Sequence, residues 1–214
     1  ARAFLFSNPA SPSAAVLPRA TVETILAETD ALVIVDEAYM EFSPENSLLP
    51  RTDHPDNLVV LRTCSKAMGC AGLRLGSAIA SERIASILNS LRAPYNLNSL
   101  TQAVGCAILE QEAYLEEAVD RIRAARDQLW NDLQRWDGHP LLGRIYPSET
   151  NYVYIRTPWS ARLSDGLRDR SILVRNLGDA LRITVGAPEE NQALLEALAE
   201  ILDEPPIEER SGER

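Results

Sequence analysis

The 214-residue sequence predicts an α/β fold, a mainly parallel sheet with crossover helices followed by a small α+β domain. Three observations predict it. Short β-branched or apolar runs alternate with helical patterns over the first two-thirds of the chain, the signature of parallel strands joined by crossover helices. Gly138-His139-Pro140 then breaks the pattern. The remaining third reads strand, helix, strand, strand, helix, at a smaller scale.

Taken in order, the expected strands of the first part are residues 3–6, 32–35, 58–62 and 76–80. Between the first two, residues 18–27 place Val22, Ile25 and Leu26 at helical spacing. Ser81 is the expected N-cap of a helix reaching about residue 91. A longer helix over 114–136 aligns Leu115, Val119, Ile122, Leu129 and Leu133 on one face, with Glu and Arg opposite, which reads as a packing helix. In the second part the expected elements are a strand at 151–156, a helix at 160–168, strands at 172–175 and 181–185, and a helix at 189–202. Pro188 and the pair Glu189-Glu190 suit that helix's first turn, through proline's fixed φ and the positive helix end. The expected domains are therefore 1–137 and 138–203, with a charged, proline-containing disordered tail at 204–214.

Composition excludes several functions. The net charge is −10, from 31 acidic and 21 basic residues, and no Lys/Arg run could follow a phosphate backbone or an anionic membrane. Apolar stretches fall short of the roughly 20 residues a bilayer span needs, and the N-terminus lacks a signal-peptide pattern, so the expected location is the cytoplasm. Cys64, Cys70 and Cys106 are odd in number without C-x-x-C spacing, and the histidines are only His54 and His139. Neither a disulfide framework nor a metal site is expected, and all three cysteines read as small core residues.

Among the 21 basic residues only Lys66 is lysine. Guanidinium replaces ammonium wherever a cation suffices, but Arg keeps its proton above a pH of about 12 and cannot act as a nucleophilic amine. Lys66 is thus either the chain's reactive amine or a surface remnant.

Two strand ends carry candidate chemistry. Val33-Ile34-Val35-Asp36-Glu37-Ala38-Tyr39 delivers acids and a phenol at the C-terminal edge of a buried run, where open parallel sheets bind ligands. An Asp after a buried strand is by itself common to many sites. The next strand runs into Thr63-Cys64-Ser65-Lys66-Ala67-Met68-Gly69-Cys70-Ala71-Gly72-Leu73-Arg74-Leu75-Gly76, where hydroxyls, an amine and an arginine among small residues allow close approach of a phosphate and an aromatic aldehyde. The glycines follow the lysine, so this is not a nucleotide-triphosphate loop.

Together these strings resemble fold-type I pyridoxal-phosphate (PLP) aminotransferases. Arg92-Ala93-Pro94-Tyr95-Asn96, Thr150-Asn151-Tyr152 and the run from Leu181 to Asn191 are similar to the histidinol-phosphate aminotransferase branch. The resemblance covers residues 4–202 and implies the C-terminal, lysine-bearing part of such a protein, without the family's N-terminal arm and Gly-rich turn.

The resemblance implies that Lys66 forms the Schiff base with the cofactor and then acts as general base in the proton shift. It implies that Asp36 pairs with the pyridinium nitrogen, that Tyr39 bonds the ring 3-oxygen, and that Thr63, Ser65 and Arg74 hold the phosphate. Arg175 and Arg182 would clamp the substrate's anionic group, for which a bidentate guanidinium suits phosphate and carboxylate alike; the alternative for Arg175 is a surface ion pair. Ser11 stands where the family's N-P-x-N-P-T-G motif has the asparagine that bonds the 3-oxygen, and its shorter side chain implies altered cofactor electronics. The implied activity is amino transfer between histidinol phosphate and 2-oxoglutarate in histidine biosynthesis, in a homodimer. The alternatives are a PLP decarboxylase acting on a phosphorylated amino acid and an inactive truncated remnant.

Overall fold

The computed structural model describes residues 2–49 and 55–204. The first strand, β1 (Ala3–Ser7), leads through α1 (Arg19–Ala27) to β2 (Leu32–Asp36), and β3 (Leu58–Thr63) and β4 (Gly76–Ala80) complete a sheet in the order β1-β2-β3-β4. β1 pairs with β2, and β2 with β3, in parallel, as the alternating pattern predicts. β4 departs from the expectation, because it runs antiparallel to β3. Residues 64–75 are barely enough for a crossover and carry Gly69 and Gly72, and the chain forms only a 3-10 turn at Ala71–Leu73 and returns as a long hairpin. Between β2 and β3 the described residues contain only 3-10 turns at Met40–Phe42 and Pro44–Asn46, where a crossover helix was expected.

Side chains alternate across these strands with period two. Val33, Val35, Leu58 and Val60 lie on one face and, with Val22, Leu26 and Leu48, form a buried cluster. Asp36, Leu61 and Thr63 fall on the opposite face by the same register.

The helix α2 (Glu82–Leu91) starts after Ser81, but the Ser81 hydroxyl is buried without a hydrogen-bond partner and makes no cap bond. The sequence pattern also missed α3 (Ser99–Leu109), in which apolar residues surround the axis and Gly105 interrupts the stripe. Its start was nevertheless signalled, since the Asn98 side chain accepts the Thr101 N–H at 2.8 Å. α4 (Glu112–Leu133) comes next and tightens into a 3-10 turn at Gln134–Trp136, with Gly138 beyond it at φ +78°.

The rest of the chain builds a wholly antiparallel sheet, β5-β6-β8-β7, from β5 (Arg144–Tyr146), β6 (Tyr152–Arg156), β7 (Arg175–Asn176) and β8 (Ala180–Thr184). α5 (Ser160–Asp169) and α6 (Pro188–Asp203) supply the helices. β5 was not expected, and the strand expected at 172–175 is reduced to β7, because Ile172 and Val174 turn into the core after Ser171 takes φ +63°. Pro188 occupies the first turn of α6, and Glu190 accepts the Ala187 N–H at 2.8 Å. Glu204, expected in the tail, closes α6 through its N–H to the Glu200 carbonyl; the remainder of the expected tail lies outside the described residues.

Two compact units result, Ala1–Ala124 with Pro147–Asn151, and Ala125–Tyr146 with Tyr152–Arg214. They divide within α4, ahead of the expected 137/138 boundary. The cysteines are not uniformly core residues: Cys64 is buried, Cys70 half-buried and Cys106 exposed. No helix among the described residues is long and apolar enough to cross a membrane, and none of their His, Cys, Asp and Glu side chains group to hold a metal ion.

Candidate active site

In the first unit, the C-terminal ends of β2 and β3 bring the expected residues together. Asp36 ends β2, and its Oδ1 accepts the Ala38 N–H at 3.0 Å, which orients the carboxylate. Tyr39, three residues on, is buried, and the Lys66 ammonium stands 5.1 Å from its ring centroid. Lys66 itself is half-buried and sits in a turn closed by the Gly69 N–H on its carbonyl, 2.9 Å.

The hairpin that replaces the expected parallel crossover sets the arrangement around Thr63, Ser65 and Arg74. The Cys64 N–H donates to the Leu75 carbonyl at 3.1 Å, and Thr63 pairs with Gly76 in the β3–β4 register. Thr63 Oγ1 donates to Ser65 Oγ at 2.9 Å and accepts the Ser65 N–H at 3.1 Å, so both hydroxyls are held at one place. Arg74, next to Leu75, adopts a left-handed conformation at φ +53°; its guanidinium is exposed and donates to the Ala71 carbonyl at 3.0 Å. Ser11 is exposed and is tied in through its backbone N–H on Ser7 Oγ, 3.2 Å, with Ser7 opposite Asp36 in the sheet. No described contact joins the Ser11 side chain to Asp36, Tyr39 or Lys66. Burial, reinforced by the neighbouring Cys70, raises the Cys64 thiol above its ordinary 9.0.

On the reverse face lies a group that the sequence pattern did not disclose. Glu37 is fully buried and binds Arg62 Nη2 at 2.8 Å, the Ser47 hydroxyl at 3.0 Å and the Leu48 N–H at 2.8 Å. Arg62 Nη1 also meets Glu41 Oε1 at 2.9 Å. Burial raises the Glu41 carboxyl above its ordinary 4.5, against the opposing pull of Arg62. The signal was present in the period-two pattern. Arg62 is in phase with Leu58 and Val60, and a cation on a core face needs an acid partner.

In the second unit, Arg175 and Arg182 are directly opposite each other in the β7–β8 ladder. Arg182 also lies 4.9 Å above the Tyr152 ring, and its Nε is buried without a hydrogen-bond partner. Like charges placed opposite one another destabilise a sheet unless an anion bridges them. Among the described residues no carboxylate pairs with either arginine.

The model of the family described as aminotransferase class I and II matches residues 1–198. The chain is 37% identical over 197 residues to the histidinol-phosphate aminotransferase of Parabacteroides distasonis, and 38% identical over 201 residues to that of Thermoanaerobacter pseudethanolicus. These alignments cover 89% and 91% of this chain and 56% of each relative, so the chain spans little more than half their length. The crystal structure of the Sinorhizobium meliloti histidinol-phosphate aminotransferase with pyridoxal-5'-phosphate superposes with a TM-score of 0.82 at 27% identity, over 94% of this chain and 57% of that one. The L-threonine-O-3-phosphate decarboxylase of Porphyromonas gingivalis shares the fold, with a TM-score of 0.82 at 24% identity over 94% of this chain and 65% of that one.

Proposed function

This chain belongs to the class I and II aminotransferase family, and from that premise we propose that it bears the reactive lysine of an enzyme moving an amino group between histidinol phosphate, or a similar anionic amine or amino acid, and 2-oxoglutarate. The observation that carries the reading is the placement of the single lysine, Lys66, over the buried Tyr39 ring beside the strand end that delivers Asp36.

The residues present fit PLP by their donor chemistry. Lys66 offers an amine for its aldehyde, Asp36 an oriented carboxylate for its ring nitrogen, and Tyr39 a phenol for its 3-oxygen. The paired hydroxyls of Thr63 and Ser65, with the exposed Arg74 guanidinium, suit its phosphate. When bound, the cofactor supplies an electron sink for carbanion chemistry. Lys66 Nζ would then take and return the substrate proton, and Asp36 would pair with the ring nitrogen. Tyr39 would hold the 3-oxygen, whereas the short hydroxyl of Ser11 would reach it poorly. Arg175 and Arg182 bind the substrate's phosphate or carboxylate, which would relieve their mutual repulsion. The reading extends to a homodimer working in the cytoplasm.

The same arginine pair would also suit a phosphorylated amino acid, which keeps decarboxylation as the second reading. The test is to add PLP to the purified chain, record its absorbance across pH, and reduce with borohydride beside Lys66→Ala. A titrating visible band and a reduced adduct on Lys66, absent from the variant, support the reading. No adduct on the wild-type chain refutes activity of this chain on its own. With the adduct in hand, glutamate-dependent conversion to the pyridoxamine form supports amino transfer, and release of carbon dioxide from a phosphorylated amino acid supports the second reading.

A further inference from the structure

We infer that Arg62 is a positioning residue, a guanidinium strut that locks the C-terminal end of β2, with Asp36 and Tyr39, to the C-terminal end of β3, with Thr63, Ser65 and Lys66. What the locked ends hold rests on the proposed function, whereas the lock itself is a property of the fold.

Strand alternation explains why the strut is behind the site. Leu58, Val60 and Arg62 face the buried cluster, while Asp36 and Thr63 occupy the opposite face. Arg62 can therefore grip both strand ends without occupying the space where a ligand would bind. The backbone ladder reaches the Glu37 N–H on the Leu61 carbonyl, 2.9 Å, and the Arg62 side chain takes over one residue further along.

Its fork reaches three separate stretches of chain. Nη2 binds Glu37 at the strand end, 2.8 Å, and Ser47 in the loop beyond, 2.9 Å; Nη1 binds Glu41 in the 3-10 turn just after Tyr39, 2.9 Å. Glu37 has no exposed side-chain surface and is fully engaged, so it cannot relax toward water if the cation is removed. A planar fork with five donors fixes these directions together, which a lysine ammonium on a flexible stem does not. Asp36 and Tyr39 flank Arg62's partner Glu37 along the chain, and Thr63, Ser65 and Lys66 come within four residues after Arg62. A shift of the strut would change the distance between Tyr39 and Lys66.

Amide hydrogen exchange on the full chain without cofactor is the first measurement. In Arg62→Met, the amides of residues 37–42 and 63–66 are expected to exchange about ten-fold faster together, as local opening would require, while the amides of α6 keep wild-type rates. Wild-type rates in either segment would overturn the proposal. Arg62→Lys guards against a failure to fold: both segments faster by about three-fold supports the strut, and unchanged rates overturn it. If the wild-type chain forms the Lys66 adduct, Arg62→Lys should shift the pH midpoint of the cofactor band, while Arg170→Gln, which loses exposed ion pairs with Glu200 and Glu204, leaves it in place. An unshifted midpoint would overturn the proposal. If the wild-type chain forms no adduct, the functional reading fails and the exchange rates alone decide the role of Arg62.

Discussion

The two compact units bury their apolar surface differently. Among the described residues, the second gathers seventeen buried side chains into one cluster around Leu181, Leu198 and Ile201, whereas the largest cluster of the first has seven. Leu5, Ile87, Leu91, Tyr95, Leu100, Leu109 and Tyr114 of the first unit are all more than half exposed; in the second, only Leu173 among the described large apolar side chains is. The antiparallel sheet needs one covered face, which α5 and α6 provide, and its strands connect locally. The mainly parallel sheet of the first unit needs both faces covered, and β1 stands at its edge with Leu5 70% exposed. The denser core belongs to the unit holding the Arg175–Arg182 pair, while Lys66, Tyr39 and Asp36 sit in the more open one.

The largest test of this contrast is Leu198→Ala, which removes a fully buried side chain from the second unit's core. It should cost about 2–5 kcal/mol in denaturant unfolding followed by circular dichroism. A loss below about 1 kcal/mol would show that the cluster is not tightly packed.

Arg182→Ala should raise the KM for a phosphorylated substrate at least ten-fold, about 1.4 kcal/mol of binding, with kcat less affected. Its thermal midpoint should change little, because a buried Nε without a partner disappears along with the Tyr152 contact. A large loss of stability with unchanged KM would make Arg182 structural.

Glu41→Gln sharpens the comparison inside the first unit. Folding raises the Glu41 carboxyl, through burial first, so the native state binds its proton more tightly than the unfolded chain does. That contribution to stability is present below the ordinary 4.5 and is lost as pH rises through the elevated native value. The stability of wild type relative to Glu41→Gln should therefore decline as pH rises over that window, measured by urea unfolding at a series of pH values. A difference independent of pH would mean that Glu41 is not raised. The smallest effect is expected for Leu5→Ser, within about 0.5 kcal/mol by the same unfolding measurement, because Leu5 has little burial to lose.

Much of the fold could be read from the sequence where the pattern was strongly periodic. β2, with Val33 and Val35 buried, and the stripe of α4 are such cases. α3 was missed because it is apolar around its axis and interrupted by Gly105, and β5 because three residues carry no usable period. The lone lysine after a strand and the Asp at a buried strand's edge drew attention by their chemistry, but the roles of the candidate site residues came from the family resemblance of the strings that hold them. Glu37 and Arg62 went unread although their phase places them on the core face, because partner choice between strands is not a local property.

The sequence by itself determined which residues form most of the strands and helices, which face of each is apolar, and where the candidate nucleophile lies, because periods of 2 and 3.6 and the reactivity of an amine are local quantities. The tertiary structure alone decided that β4 returns antiparallel and brings Leu75 beside Thr63, that Arg175 faces Arg182, and that Arg62 joins two strand ends from behind. Direction, register and partner depend on contacts between residues far apart in the chain, whose closure is set by the packing of the whole unit and leaves no periodic trace in either strand alone.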